Sequence, residues 1–513
     1  MSIGQTHGVV LVGVDGVLVN VEVDLADGVV GTAIVGLADR GINEAKDRVR
    51  SALVNSGHRW PAKRVTISLS PAWIPKVGAV TDLAIALAML VADGVIPGSC
   101  IENTVVLGEL GLDGQVRQVR GVLPAVLAAH RAGIKRVMVP IDNCVEASLV
   151  TDVEVIGVST LAHACAILTD QQRPPTVHPV PTGPREFARR GDLTEVVGQQ
   201  LGKRALEVAA AGGHHLFFHG PPGAGKTMLA ERLPSIMPAL SAQAALEITA
   251  IRSLVEDLDP NSPLVSHPPF EAPHHTMTLA AMVGGGSGRP QPGAISRAHH
   301  GVLFLDEAPE FARSVLDSLR EPLESGFVRV ARSGFVAQFP ARFQLVMAAN
   351  PCPCGVFDQR ALGCTCTPTQ RRRYAQRISG PLLDRIDLVV QTHSVDRFSM
   401  LGQGQAGMSS AHVAERVQRA ADRMLERFAE NALPFSSNAT IPGSALRGKG
   451  PLAVSLDALK WLRSQPGASS SRGLDKVLRI SWTLADLAGV DRPGVVHVQE
   501  ALSLRDEGGR TAA

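Results

Sequence analysis

The sequence has little excess charge of either sign. Its 513 residues include 50 lysines and arginines against 48 aspartates and glutamates, a formal net charge of +2. A protein that coats nucleic acid by bulk attraction needs a large positive excess, so that class is excluded and any nucleic-acid contact must come from local patches. With 45% hydrophobic and 19% charged residues, the composition is that of a globular chain. At roughly 150 residues per domain, the length suggests about three domains.

Long apolar runs and a secretion signal are also missing. No stretch of about 18 uncharged apolar residues occurs, which argues against a transmembrane helix. The first 30 residues lack a basic region and carry four acids within their apolar stretch, unlike a signal peptide. We therefore expect a cytoplasmic protein without membrane contact, whose seven cysteines stay reduced and form no disulfide framework.

Three segments differ in their pattern. Residues 1–170 are predicted to be mixed α/β, with β-branched runs on both sides of Asp15-Gly16 that indicate a hairpin. Five prolines between 173 and 185 mark a linker, assigned to 171–192. A second α/β segment follows at 193–395. Residues 396–513 are predicted to be helical, because apolar side chains recur there at three- and four-residue steps.

Charge is distributed unevenly over these segments. Residues 1–170 hold 13 basic and 17 acidic side chains, a net of −4, which leaves +6 for the rest. Residues 371–385 alone hold five arginines and one aspartate, a net of +4. This stretch is either a solvated face or a patch for nucleic acid or a neighbouring subunit.

A short apolar strand, 216–218, runs into a glycine-rich loop and then a helix at 228–233. The loop has the pattern G-x-x-x-x-G-K-[ST], whose backbone N–H groups form an anion nest at a helix N-terminus. In such a loop the lysine reaches the β- and γ-phosphates of a nucleotide and the Ser/Thr hydroxyl ligates Mg²⁺. The eight positions are Gly220, Pro221, Pro222, Gly223, Ala224, Gly225, Lys226 and Thr227.

Two further apolar strands end in polar residues. The strand 302–305 is followed by Asp306 and Glu307, which we assign to the Mg²⁺ shell and to polarising the attacking water. The strand 343–349 ends at Asn350. An asparagine there is often only a turn residue, but ligands bind at the carboxyl edge of parallel sheets. Asn350 is therefore a candidate for positioning the water.

These residues, with 380–387, resemble the magnesium-chelatase-like group of AAA+ ATPases. The stretches 272–275, 283–286, 298–307 and 350–355 are similar to the ComM (YifB) family within that group. The resemblance implies an αβα core that uses ATP and Mg²⁺, a helical lid, and a homo-hexameric ring with ATP between subunits. It also implies DNA as partner, since the family is linked to branch migration in homologous recombination and natural transformation. The alternative is a chelatase-like ATPase that remodels a protein partner.

The resemblance assigns roles to two arginines and two insertions. Arg385 matches the arginine finger that reaches a neighbouring subunit, although a surface salt bridge to Asp384 or Asp387 is the simpler interpretation. Arg472 matches the sensor-2 arginine of the lid, against an ordinary exposed helix arginine. The insertions 273–296 and 328–339 would face the pore of the ring, where two arginines are candidate phosphate contacts. These are Arg329 and Arg332.

Four of the seven cysteines fall in one short segment as two C-x-C pairs. Four thiolates can close a tetrahedral Zn²⁺ site, although C-x-C is tighter than the usual spacing. Free thiols and a regulatory disulfide are the alternatives. The four are Cys352, Cys354, Cys364 and Cys366.

The N-terminal segment resembles the protease domain of Lon proteases, over 75–86, 106–110, 114–116 and 128–135. This implies an α/β fold like the second domain of ribosomal protein S5. Lon proteases use a Ser/Lys dyad, in which a lysine activates the serine. The two dyad positions fall here on Val80 and Ala125, which cannot perform that chemistry. We therefore expect a domain for assembly or partner contact, without protease activity.

Overall fold

The computed structural model describes residues 2–36, 40–74, 76, 78–175, 191–259, 261, 263–286, 290–332, 335–356, 364–394, 408–465 and 471–505. Most of the predicted linker, 176–190, lies outside these described residues. No helix within the described ranges is long and apolar enough to cross a membrane.

The N-terminal part is built on a seven-stranded mixed sheet in the order β3-β4-β2-β1-β5-β8-β9. Alternate residues of its second strand are buried, as expected for a strand whose successive side chains point to opposite faces of the sheet. The strands are β1 Ser2–Val12, β2 Asp15–Ala26, β3 Gly31–Val35, β4 Arg64–Ser70, β5 Thr104–Val106, β6 Glu109–Leu110, β7 Val116–Arg117, β8 Arg136–Pro140 and β9 Glu154–Val158. The helices are α1 Arg40–Asn55, α2 Asp82–Ala92, α3 Val122–Arg131, α4 Cys144–Ala147 and α5 Leu161–Leu168.

The first hairpin forms, but its turn lies two residues before the predicted Asp15-Gly16. Val12 pairs with Asp15, so Gly13 and Val14 make the turn. Gly13 adopts φ +70°, a left-handed conformation that glycine reaches without strain. A Cβ atom at Gly13 would also lie 2.6 Å from the Gln338 carbonyl oxygen. The turn therefore lies against a distant segment, and a side chain at position 13 would not fit there.

The second part contains a five-stranded parallel sheet in the order β11-β14-β17-β10-β18. Its strands and two small hairpins are β10 Leu216–His219, β11 Phe270–Glu271, β12 Gly284–Gly285, β13 Gln291–Pro292, β14 Val302–Leu305, β15 Phe327–Arg332, β16 Phe335–Pro340, β17 Gln344–Ala349 and β18 Leu388–Gln391. The helices are α6 Gln200–Gly212, α7 Lys226–Arg232, α8 Ala242–Ser253, α9 Leu279–Val283, α10 Ala294–Arg297, α11 Arg313–Asp317, α12 Arg320–Ser325, α13 Pro368–Ala375 and α14 Gly380–Leu383.

The parallel sheet is covered on both faces. Every residue of β17 is buried, and its side chains alternate between two hydrophobic cores. Val346 and Ala348 belong to the core shared with α6, whereas Leu345 and Met347 belong to the core on the opposite face. A central parallel strand buried on both faces has a continuous apolar sequence, which explains the unbroken apolar run found in the sequence.

The C-terminal part is helical, as the apolar periodicity predicts. Its helices are α15 Ser410–Glu430, α16 Gly443–Arg447, α17 Leu456–Arg463, α18 Ser471–Ala488 and α19 Val495–Ser503. The stripe from Val413 to Phe428 is buried in the same core as α6. Trp482 is fully buried there and its indole N–H donates to the Leu452 carbonyl at 2.9 Å. The helices therefore pack on α6, which itself covers one face of the parallel sheet.

The N-terminal part packs against α8 of the second part. Ala250 of α8 belongs to a core otherwise formed by N-terminal residues. At the same junction the Gly121 N–H donates to the Ser253 carbonyl at 2.9 Å, and the Ser253 hydroxyl contacts the buried Glu146 carboxylate. Burial raises the pKa of Glu146, and hydrogen bonds from Ser253 and from Leu123 oppose this rise. The contact between the two parts is thus mainly apolar, and the buried Glu146 carboxylate within it is hydrogen-bonded.

His299 makes the stability of the second part sensitive to acid. Its side chain is 1% exposed, its Nδ1 accepts the Arg342 N–H at 3.0 Å, and its Nε2 faces Glu247 at 3.1 Å. Burial and the neighbouring His300 lower the pKa of His299 to about 4, and Glu247 opposes this. The unfolded state gains a proton below about 6.5, so stability is lost as the pH falls from about 6.5 to about 4.

We therefore predict that His299→Asn loses less stability between pH 7 and pH 5 than the unaltered chain. The difference should be about 2 kcal/mol at pH 5, because asparagine keeps an acceptor for the Arg342 N–H without titrating. Urea unfolding midpoints at the two pH values measure it. The exposed His412 provides the control variant, His412→Asn, which should retain the full loss. Equal losses in all three proteins would contradict the assignment.

Candidate functional site

The glycine-rich loop joins β10 to α7 at the carboxyl edge of the parallel sheet. Gly223 and Gly225 take φ values of +74° and +79°, so both positions need the left-handed conformation that glycine supplies. Gly225 is also the residue that caps α7. The backbone conformation expected of a phosphate-binding loop is therefore present in the structure.

Lys226 is folded onto this loop. Its Nζ donates to the Gly220 carbonyl at 2.7 Å, to the Pro221 carbonyl at 2.8 Å and to Asn350 Oδ1 at 3.1 Å. The side chain is 8% exposed, and burial lowers the pKa of Lys226, while the Asp306 and Glu307 carboxylates act in the opposite direction. A buried ammonium held by neutral oxygens is suited to receive an anionic phosphate.

The two acids after β14 lie beside the loop. The Thr227 hydroxyl donates to Asp306 Oδ2 at 2.7 Å, and the Glu307 N–H donates to Asp306 Oδ1 at 2.9 Å. Thr227 is exposed and Asp306 half-buried. A hydroxyl paired with a carboxylate is the kind of hard-oxygen donor set that Mg²⁺ prefers.

Glu307 has an unusual backbone conformation. Its φ is +50°, a left-handed value that costs a non-glycine residue about 1–3 kcal/mol. Its carboxylate lies 3.8 Å from His275 Nδ1 and is half exposed. The side chain thus lies near the segment that carries His275. Such strain is typically retained where it orients a functional group.

Asn350 lies between the two motifs because β17 is hydrogen-bonded to β10 on one side and to β14 on the other. The three strand ends therefore meet, as the sequence argument predicts. Gly355 packs against the glycine-rich loop, since a Cβ atom at position 355 would be 3.1 Å from Pro222 Cγ. The structure thus brings together Lys226, Thr227 and Asp306 with Asn350, and places Glu307 next to them.

Among the described residues, the two predicted arginines contact acids of their own chain rather than this cluster. Arg385 contacts Glu324 and donates to the Pro381 carbonyl at 2.5 Å. Arg472, 73% exposed, donates to Asp384 at 3.2 Å. The partner of Arg385 is therefore Glu324, not the Asp384 or Asp387 considered from sequence. Asp387 instead accepts from His214 at 3.2 Å.

The strands β15 and β16 form an antiparallel hairpin in which Val328 pairs with Phe339. Val328 and Val330 are buried, whereas Arg329 between them is 59% exposed. Arg329 is held only loosely, by Gln338 at 3.4 Å and Glu321 at 3.9 Å. The alternation leaves its guanidinium facing solvent. The side chain of Arg332 and residues 287–289 of the other insertion lie outside the described part of the chain.

The dyad positions inferred from the Lon resemblance come together in space. Val80 and Ala125 line one small cavity, with Leu107 and Val122 among its other walls. Their proximity agrees with the resemblance to Lon proteases, in which the two dyad residues must meet. Neither side chain offers a nucleophile or a base.

The position of His275 next to Glu307 was not predicted from the sequence. This histidine lies in the Ala-Pro-His-His stretch, which served only to recognise the family, and its ring packs 4.1 Å from that of His274. Its approach to Glu307 spans 32 positions of sequence. The paired histidines are the only signal of it in the sequence, and they do not identify the partner.

Comparison with known proteins agrees with this geometry. Three family models match: "Magnesium chelatase, subunit ChlI" at residues 192–400, "Subunit ChlI of Mg-chelatase" at 21–143, and "Magnesium chelatase, subunit ChlI C-terminal" at 407–505. The mixed α/β multidomain fold is thus consistent with a magnesium-chelatase-like AAA+ protein.

Individual relatives identify the family to which the chain belongs within this group. An uncharacterised protein of Mycobacterium tuberculosis is 47% identical over 512 residues, 99% of this chain and 100% of its own. Competence protein ComM of Haemophilus influenzae is 40% identical over 508 residues, 98% of each chain. The chain therefore belongs to the ComM (YifB) family. Lon protease 2 of Bacillus subtilis is 31% identical over 149 residues, 27% of this chain and 26% of its own. Family membership implies ATPase activity with ATP and Mg²⁺.

Proposed function

We propose that the protein is an ATP-driven motor that acts on branched or single-stranded DNA, a ComM-like branch-migration helicase in homologous recombination or natural transformation. It would work as a homo-hexamer with ATP between subunits. The observation that carries the proposal is the meeting of Lys226, Asn350, Thr227 and Asp306 at one sheet edge, in a chain similar over nearly its whole length to a competence protein.

Each residue of the cluster has a defined task in ATP hydrolysis. The loop amides and Lys226 would bind the phosphates, and Thr227 and Asp306 would hold a Mg²⁺ ion, whose charge would offset that of the phosphate oxygens. Glu307 takes the proton of the attacking water, and Asn350 orients that water. Arg385 and Arg472 complete the site from the ring neighbour and from the lid. The division into 1–170, 193–395 and 396–513 is part of the same proposal.

The β15–β16 hairpin is the proposed DNA contact. Arg329 is exposed, and its weak contacts with Gln338 and Glu321 leave the guanidinium free to exchange them for a phosphate. The buried Val328 and Val330 fix the hairpin on the motor. Nucleotide-driven movement of the sheet would therefore be transmitted to this arginine.

We predict that DNA stimulates ATP turnover and that Arg329→Gln weakens this stimulation. The slope of DNA affinity against salt concentration should decrease by the amount expected for about one lost phosphate contact per engaged subunit. ATP turnover in the absence of DNA should change little. ATPase assays with and without single-stranded and branched DNA, at several salt concentrations, measure both effects. Arg313→Gln is the matched control, since Arg313 is 77% exposed on α11, outside the hairpin. An unchanged response of Arg329→Gln would contradict the contact.

A chelatase-like remodelling ATPase is the second candidate. It is favoured by the three chelatase family models, one of which covers 21–143, so the presence of an N-terminal part does not argue against it. Turnover that ignores every DNA but responds to a chelatase partner would support this alternative. Degradation of casein by a clean preparation would instead indicate a protease, which Val80 and Ala125 disfavour.

A further inference from the structure

The four clustered cysteines converge on one point. The sulfur of Cys352 lies 3.2 Å from that of Cys354 and 3.8 Å from that of Cys364, and Cys354 and Cys364 are 3.6 Å apart. All four sulfurs, including that of Cys366, lie within 4.8 Å of one another. Around Zn²⁺, four thiolates at about 2.3 Å in a tetrahedron are separated by about 3.8 Å. The 3.8 Å and 3.6 Å separations match the edges of such a tetrahedron, and the 3.2 Å separation is shorter.

The alternatives explain this arrangement less well. A disulfide requires about 2.05 Å between two sulfurs, and every one of these pairs is longer. A disulfide would also use two sulfurs at a time, whereas all four converge here. Cys352 is buried while Cys354 is exposed, so the cluster forms a compact knuckle at the surface. Four soft thiolate donors with tetrahedral spacing favour Zn²⁺ over Mg²⁺ or Ca²⁺.

One end of the knuckle lies at the nucleotide site, and the other end leads into α13. Cys352 is two residues after Asn350, and the Gly355 N–H donates to the Cys352 carbonyl at 2.9 Å, which brings Gly355 against Pro222 of the phosphate loop. At the other end, Cys366 directly precedes the Thr367 cap of α13. A metal ion here would therefore tie the end of β17 to the start of α13.

Helix α13 returns to the same site. Tyr374, 6% exposed, interacts with the Asn350 backbone, and burial raises the pKa of its hydroxyl to about 12. Just beyond the helix, Arg377 donates to the Pro309 carbonyl at 3.1 Å and to Glu310 at 2.7 Å. These two acceptors follow Glu307 by two and three residues. Fixing α13 thus constrains the backbone on both sides of the catalytic cluster.

We propose that Cys352, Cys354, Cys364 and Cys366 bind one Zn²⁺ ion that positions Asn350 and the segment after Glu307 for ATP hydrolysis. The ion is structural, with a closed coordination shell, and it contacts neither nucleotide nor water. The positioning part of the inference rests on the proposed ATPase function, whereas the metal site itself does not.

Zinc content tests the site without reference to ATP or DNA. Full-length protein purified without chelators should contain about one equivalent of zinc and no comparable iron. Cys364→Ser should lose it, while Cys100→Ser, which removes a half-buried cysteine of the N-terminal part, should keep it. Native thiol titration should leave the four clustered cysteines unreactive until a chelator is added. Less than about half an equivalent of zinc in the unaltered protein, or stoichiometric iron, would overturn the site.

Positioning is tested by separating kcat from ATP binding. In folded Cys364→Ser, kcat should fall by about tenfold, while the Kd for ATP changes little and the Cys100→Ser control behaves like the unaltered protein. Circular dichroism checks that the variant is folded. If it is not, removing zinc from the unaltered protein should lower kcat, and returning zinc should restore it. Unchanged kcat after zinc loss would overturn the positioning role and leave the proposed ATPase function intact.

Discussion

Glu307→Gln is expected to bind ATP normally and to lose nearly all hydrolysis. Glutamine has the same shape and leaves intact the hydrogen bond from the residue 307 N–H to Asp306. It cannot, however, accept a proton from the attacking water. Loss of a general base typically costs 10²–10⁴-fold, so we expect kcat to fall by about 10³-fold with a Kd for ATP within about threefold.

Steady-state turnover and the binding of a fluorescent ATP analogue measure the two quantities. Glu231→Gln is the control, because Glu231 lies on the neighbouring helix α7 and is 41% exposed beside Arg232. It should leave both quantities nearly unchanged. Turnover by Glu307→Gln at the rate of the unaltered protein would remove Glu307 from the mechanism. Loss of ATP binding would assign it a structural role instead.

Arg385→Ala is expected to abolish turnover although Arg385 contacts no member of the cluster in its own chain. Its guanidinium contacts Glu324 and the Pro381 carbonyl. In the proposed ring Arg385 would stabilise transition-state charge at the adjacent subunit, and an arginine with that task is worth about 10³–10⁵-fold in kcat. We therefore expect a loss of about 10³-fold with ATP binding retained, and no such loss in Arg313→Ala.

Mixing the two inactive variants separates a neighbour's role from an internal one. A subunit with Arg385→Ala still has Glu307, and a neighbour with Glu307→Gln still has Arg385. If Arg385 acts across the subunit interface, some sites in mixed rings regain both groups and turnover returns. No recovery at any mixing ratio, although mixed rings form, would place Arg385 in its own subunit's site or in a purely structural role.

The sequence was sufficient for the parts of the site that local pattern and topology determine. The glycine-rich loop requires φ above zero at Gly223 and Gly225, and its pattern identifies both positions. Placing Asn350 beside Lys226 needed one further step, since adjacent parallel strands end at the same edge of the sheet. In the structure, Lys226 Nζ and Asn350 Oδ1 lie 3.1 Å apart.

Contacts between distant segments could not be predicted in the same way. Glu324 is 61 positions from Arg385, and no periodicity links them. The first hairpin turns at Gly13 rather than Asp15-Gly16, and Gln338, 325 positions away, lies against that turn. Both cases depend on how separate elements meet, and no local pattern in the sequence encodes that.

The most direct test of the central claim is a strand-displacement assay on a synthetic branched DNA. The account predicts that the unaltered protein resolves the branch when ATP and Mg²⁺ are present. It predicts no product without ATP, or with Lys226→Ala, which removes the ammonium that contacts Gly220, Pro221 and Asn350. Active ATP hydrolysis without any movement of branched DNA would contradict the account, as would branch resolution that Lys226→Ala leaves unchanged.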